Sequence, residues 1–295
     1  MAERPLRSLL RGTSPIFLVL IAGLLAGCGS VTAVTDFVLP QDQSWERWAA
    51  HQPYSDIHVN HQAWDAFLET YRRVNNAGAV ELAYRDVAPE DRVALDGYIE
   101  ALSLTPVGTL NRREQLAYWV NLYNALTVQL VLNHYPVDSI REIEFGRSFV
   151  PSFLVGDGPW GEELVVVEGV PLSLDNIEQR ILRPLFRDPR IHYVLTHAAM
   201  GSPDLMARSL DPARLNTDLN AAARAYVNSP RGVQVDGNRA GVSSIYTWFR
   251  DDFGGSEEAV LVHLRSYAAP ELRMDLVPVS KVRDQGYDWD LNDTR

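Results

Sequence analysis

Apolar positions recur at helical spacing over much of the chain. "WDAFLETYRRV" (64–74) has apolar residues three and four apart, which predicts a helix. "EDRVALDGYIEALSL" (90–104) repeats the pattern with Val93, Leu95, Tyr98, Ile99 and Leu102. "NRREQLAYWVNLYNALTVQLVLNHYP" (111–136) is the longest such stretch and is apolar almost all round. A helix with no polar face is buried, so this one is expected at the centre. Asn111 suits its N-cap and Pro136 its end.

Shorter patterns fill the rest. "EELVVVEG" and "VPLSL" read as a strand pair over 162–174. Ser173 is placed to cap "LDNIEQRILRPL", with Asp175 and Glu178 in its first turns. "RIHYVLT" (190–196) alternates and reads as a buried strand, with Ile191, Tyr193 and Leu195 on one side and His192 and Val194 on the other. "DPARLNTDLNAAARAYVNS" is a helix. Asp236-Gly237 marks a hairpin in "GVQVDGNRAGVSS". "SIYTWFRDDFGG" is a short helix closed by Gly254-Gly255, and Ser256 caps the next one, "EEAVLVHLRSYA". Helices and few strands in mixed order predict an α+β fold, a helix-rich domain whose buried central helix packs on a small, mostly antiparallel sheet.

The start of the chain has a different character. Arg4, Arg7 and Arg11 precede the apolar run "PIFLVLIAGLLAGCGS". That run is about half of the roughly 20 residues that span a bilayer, so a secretion signal is favoured over a transmembrane anchor. Small residues before the single cysteine, Cys28, resemble a bacterial lipobox. The resemblance implies a signal peptide over 1–27 and lipidation of Cys28, with palmitate among its acyl chains, followed by a tether over 28–43. The competing reading is an ordinary signal peptide with a chance cysteine. Gly29 and Ser30, with no Asp after the cysteine, imply the outer membrane by analogy with Gram-negative lipoproteins. A lone cysteine leaves no internal disulfide.

The formal net charge is −11. Residues 1–27 carry three Arg and one Glu, so the remainder is near −13. Such a body has no electrostatic footprint for nucleic acid and is repelled by anionic headgroups, so the lipid has to supply the attachment to the membrane. With no linker-like run and no repeat, residues 44–295 are expected to form one domain.

Five segments in order carry a further resemblance: "REQLAYWVNLYNALTVQLVL", "SLDNIEQRILR", "DPRIHYVL", "SSIYTWFRDDFG" and "YDWDLN". Together they resemble the domain-of-unknown-function family 547 over about 110–292, and that family supplies no agreed reaction. After the "IHYVL" segment the family usually shows Asn-Cys-Ala-Ser-x-Gly-Cys-Pro. Here Thr196-His197-Ala198-Ala199-Met200-Gly201-Ser202-Pro203 stands instead. Loss of both cysteines together implies that they pair in the family, as a disulfide or as metal ligands.

Candidate chemistry is thin. Glu114, Tyr118, Asn121 and Asn124 share one face of the central helix. Buried amides need partners, so they either hold nearby loop backbone or line a pocket in which Glu114 is acid or base and Asn121 and Asn124 orient a ligand. His192 is a core histidine or a general base facing that stripe. His197 and Ser202 are candidate binding residues. A zinc set of His192, His197 and Asp204 needs the chain to turn at Thr196, and Ser202 is first of all a turn residue, with an exposed hydroxyl. "YDWDLN" reads as extended cover over the core or as a ligand platform. No cofactor motif and no metal motif is present. Two functions follow: a non-catalytic envelope lipoprotein that binds a peptide, glycan or protein partner, or an envelope hydrolase or acyl-transfer-like enzyme using Glu114, Asn121 and His192.

Overall fold

A computed structural model of the chain describes residues 43–145 and 158–294. The signal, Cys28 and the tether up to Asp42 lie outside the described residues. The chain from Gln43 onward forms one unit. Among the described residues no helix is long and apolar enough to cross a membrane.

Helix α1 (Gln62–Tyr71) buries Trp64, Phe67, Leu68 and Tyr71, the stripe expected of an amphipathic helix. It stops three residues short of the sequence expectation, because Arg72–Val74 forms strand β1 against β2 (Val80–Leu82). Turn chemistry overrides helical spacing there. The Asn75 Oδ1 accepts from the amides of Ala77 and Ala79, and Gly78 takes a left-handed φ of 81°. Helix α2 (Pro89–Ser103) buries Leu95, Tyr98, Ile99 and Leu102.

Helix α3 (Arg112–His134) is the buried centre. The Asn111 carboxamide oxygen accepts from the amides of Arg113 and Glu114, both at 3.0 Å, a cap that stabilises by about 1 kcal/mol. Every residue from Glu114 to Val128 is buried. The main neighbours of α3 are α2, the later helix α4 (174–186) and the turn at Pro212–Arg214.

Among the described residues three small ladders complete the α+β architecture. Strands β3 (Val165–Val167) and β4 (Val170–Leu172) pair through a two-residue turn, Glu168-Gly169, both with positive φ. In α4, Ser173 and Asn176 cap each other reciprocally. Its middle, Asn176–Leu182, winds as a π-helix. Helix α5 (Leu215–Val227) leads to the hairpin of β5 (Val233–Asp236) and β6 (Arg239–Val242). After α6 (Ile245–Trp248), α7 (Glu257–Tyr267) and α8 (Pro270–Asp275), strand β7 (Lys281–Asp284) returns to pair in parallel with β6. Ser256 caps α7 through the amide of Ala259.

The expected strand over 190–196 is not a strand. Residues Pro189–Tyr193 form a 3-10 helix. The Asp188 carboxylate accepts from the amide of Arg190, and Pro189 fills the first position with a fixed φ. Side chains therefore do not alternate. Ile191, Val194 and Leu195, at helical spacing, join the core around α1–α3, whereas Tyr193 enters a second core around α5 and α7. This segment ties the two cores together.

Candidate functional site

The polar stripe of α3 goes mostly to backbone. Asn121 makes a two-way amide pair with Leu210: its Oδ1 accepts from Leu210 N at 2.9 Å and its Nδ2 donates to Leu210 O at 3.1 Å. One turn on, Asn124 accepts from Thr196 N at 2.9 Å and donates to Val194 O at 2.8 Å. The Tyr118 hydroxyl donates to Leu102 O at 2.9 Å. Glu114, 1% exposed, accepts from Val59 N at 2.8 Å and meets His58 Nδ1 at 3.2 Å. Each group replaces a backbone partner that an irregular segment lacks, which satisfies otherwise buried polar atoms.

His192 does not face this stripe. It points the other way, towards two carboxylates. Its Nε2 lies 2.7 Å from Asp252 Oδ2, and its Nδ1 lies 3.5 Å from Glu178 Oε1. Because 189–193 is helical, the imidazole leaves the chain on the side of α4 and α6, and its ring stacks on Phe249 at 4.0 Å. Glu114, Asn121 and His192 thus have separate partners and do not converge.

Glu178 is the centre of the observed cluster. It sits in the π segment, 3% exposed, among Ile177, Ile181 and Leu182. His192 lies on one oxygen, and His197 Nε2 on the other at 3.9 Å, with the Tyr123 hydroxyl at 3.5 Å. Burial pushes the Glu178 carboxyl up, but the imidazoles of His192 and His197 outweigh it and hold it well below the usual carboxylate range. Burial likewise pushes Asp252 up, yet His192 and Arg183 bring it down to about 2. Arg183 grips Asp252 with Nε at 2.6 Å and Nη2 at 3.2 Å, and is itself steadied by Gln179. Burial lowers the His192 pKa, and Asp252 and Glu178 raise it above the ordinary histidine value. The result is a line of alternating charge: Arg183, Asp252, His192, Glu178. With its side chain 2% exposed and both nitrogens turned to carboxylates, His192 offers no nitrogen to a substrate.

The loop after His192 is closed by its own small groups. Ser202 Oγ accepts from His197 N at 3.0 Å, so the two positions at which the family resemblance implies cysteine touch each other. Ser202 is 2% exposed, which corrects the expectation of an open turn hydroxyl. Ala198 takes a left-handed φ of 52°. The expected extended cover "YDWDLN" lies against this loop, with Met200 N bonded to Asp290 O and Gly201 N to Asp288 O, both at 2.8 Å.

Outward of His197 the surroundings become aromatic. Its Nδ1 meets the Tyr287 hydroxyl at 2.9 Å, Trp289 stacks on its ring at 6.3 Å and Trp160 stands edge-on at 6.2 Å. Trp248, 39% exposed, stacks on Trp289 at 5.8 Å, and the Arg141 guanidinium lies 5.3 Å from the Trp289 ring. Among the described residues no group of three or more His, Cys, Asp or Glu is placed to hold a metal ion.

Sequence reasoning missed Glu178 as more than a helix-dipole acid, and missed Asp252, Arg183 and the aromatic rings. One signal was available: Glu178 shares the apolar face of Leu174, Ile181 and Leu182, four before and three and four after it.

Fold and site define a helix-rich α+β domain built round a buried carboxylate–imidazole cluster. Over residues 107–227 the chain matches the model of the family described as "Protein of unknown function, DUF547". No curated protein and no solved structure matches it. The matched region holds Glu178, His192, His197 and Ser202, whereas Asp252, Tyr287 and Trp289 come from beyond it.

Proposed function

We propose that this chain is a cell-envelope lipoprotein, anchored through lipid on Cys28 at the periplasmic face of the outer membrane. Its domain binds an envelope peptide or glycan and is not a catalyst. The observation that carries the binding reading is the aromatic face of Trp160, Trp248, Tyr287 and Trp289, which is partly open to solvent beside His197. Flat rings of this kind take up apolar ligand surface at little entropic cost, and their polar neighbours fix its orientation. The closed state of His192 supports the non-catalytic part, because a general base needs a nitrogen within reach of its proton.

The experiment is equilibrium binding of the full chain in mild detergent to purified envelope glycan fragments and to their peptide stems, read by tryptophan fluorescence. One of the two ligand sets should bind, and Trp248→Ala and Trp289→Ala should each weaken it. Unchanged fluorescence with both sets, or binding that survives both substitutions, rejects the aromatic face. Anchoring is tested by labelling cells with a fatty-acid analogue: Cys28→Ala should lose the label.

A further inference from the structure

A second site borders the aromatic face at Tyr287 and lies on the outer side of the β5–β6–β7 sheet. A cavity of about 820 Å³ opens there, lined among others by Arg231, Arg239, Gly241, Arg283 and Gln285. Its size is that of a small-molecule site and exceeds the needs of a bare inorganic ion.

The register explains why cations gather there. In the parallel pair, Arg239 stands opposite Lys281 and Gly241 opposite Arg283. Side chains at i and i+2 share a face, so Arg239, Lys281 and Arg283 project from the same side. Like charges directly opposite one another destabilise a ladder. Lys281 is the only lysine in a chain of net charge −11. Arg231 is already neutralised by Asp204 at 2.7 Å. Among the described residues the side chains of Arg239 and Arg283 have neither a hydrogen bond nor an ion pair. Two acids, Asp236 and Asp288, also line the cavity, and Asp288 Oδ1 is taken by the amide of Asp290.

Gly241 keeps the floor open between the two arginines. Its φ is not in the left-handed region, so glycine is not required by backbone conformation. A Cβ there would stand 2.9 Å from Gln285 Oε1. The Gln285 amide is held from the other end, where Nε2 donates to Pro230 O and Arg231 O, both at 3.0 Å.

We propose that this cavity binds a small multivalent oxyanion, a phosphate ester or a polycarboxylate, clamped between the guanidinium groups of Arg239 and Arg283 with Lys281 adding charge at the rim. Guanidinium forks match the two oxygens of such groups, and an anion adds to the single acid that the register sets against these cations, Asp236 opposite Arg239. A ligand bound only by the folded state raises the melting temperature by mass action.

The test uses the full chain in mild detergent, with pyrophosphate and citrate as separate probes and sodium chloride of equal ionic strength as control. Melting temperature and direct calorimetric titration are both read. At least one probe should raise the melting temperature above the chloride control. Arg239→Gln combined with Arg283→Gln should weaken its binding at least about tenfold, since lost charge-assisted hydrogen bonds are worth more than 1.4 kcal/mol together. Asp236→Asn should tighten binding. Without any probe the double variant should melt at or above the wild-type temperature, which separates loss of binding from loss of fold. Pyrophosphate acting alone assigns a phosphate ester, citrate alone a carboxylate. A shift no larger than that of chloride, or one that survives in the double variant, overturns the site.

Discussion

The amide stripe of α3 and the cluster around Glu178 are both buried and polar, and they solve that problem in opposite ways. On α3, neutral carboxamides of Asn121 and Asn124 pair with backbone of the segments around Leu210 and Val194. Around Glu178, charged side chains from α4, the 3-10 helix and the segment after α6 hold one another. A lost amide strands two dipoles, whereas a lost carboxylate strands a charge. The difference predicts which region breaks the fold and which only loosens it.

The largest effect is therefore expected at Glu178. Glu178→Ala removes the carboxylate between His192 and His197 and leaves His192 with Asp252 as its one acidic partner, and urea unfolding should show a loss of about 3–5 kcal/mol. A loss smaller than that of Asn121→Ala would reverse the ranking of the two regions.

Next comes pH, because buried histidines differ by partner. His61 lies against the Tyr98 hydroxyl at 2.6 Å, a neutral partner, and burial lowers its pKa to about 4. The unfolded chain then binds a proton between about pH 6.5 and 4 that the folded chain refuses. Stability from this group is complete above pH 6.5 and lost as pH falls towards 4, by on the order of 3 kcal/mol. His263, lowered to about 4 by burial beside Tyr193, acts in the same direction. His192 acts in the other: its raised pKa gives stability that is complete below pH 6.5 and lost as pH rises through the folded value. Melts across pH should show His61→Gln flattening the acid limb and His192→Gln flattening the neutral-to-alkaline limb.

Asn121→Ala should follow, at about 2 kcal/mol, since it leaves both Leu210 backbone groups unpaired. Ser202→Ala should cost about 1 kcal/mol by stranding His197 N, where an exposed hydroxyl would have cost nothing. The smallest effect is expected at His58→Ala. His58 is 78% exposed, Val59 N still holds Glu114, and the urea midpoint should not move measurably.

The same contrast explains what was legible in the sequence. The stripe on α3 is a local pattern: four polar residues at spacings of three and four in an apolar helix reveal a shared face without any knowledge of the fold. Ser173, Asn111 and Ser256 were legible for the same reason, because a cap is read within four residues. The cluster is assembled from positions 178, 183, 192 and 252, and no local pattern links them. Its geometry also depends on two local departures that periodicity misreads. Alternation over 190–196 mimics a strand where Asp188 and Pro189 start a 3-10 helix, and the π winding of Asn176–Leu182 is invisible to a period of 3.6. Strand β7 went unrecognised because it is exposed, charged and short.

The closing stretch of the chain has a consequence for the order of events during synthesis. Residues 288–293 are bonded to Leu82, to Asp138 and to the loop at Ala198–Gly201, and Tyr84 reaches Asn292 across 208 positions. Strand β7, just before them, completes the β5–β6 ladder. None of these contacts exists until the ribosome has made residues 281–293, at roughly 5–20 residues per second. Until then a nascent chain of this protein keeps the segments around Leu82, Asp138 and Ala198 unclosed. Until residues 281–293 have emerged, such a chain remains available to chaperones and to passage through a narrow channel.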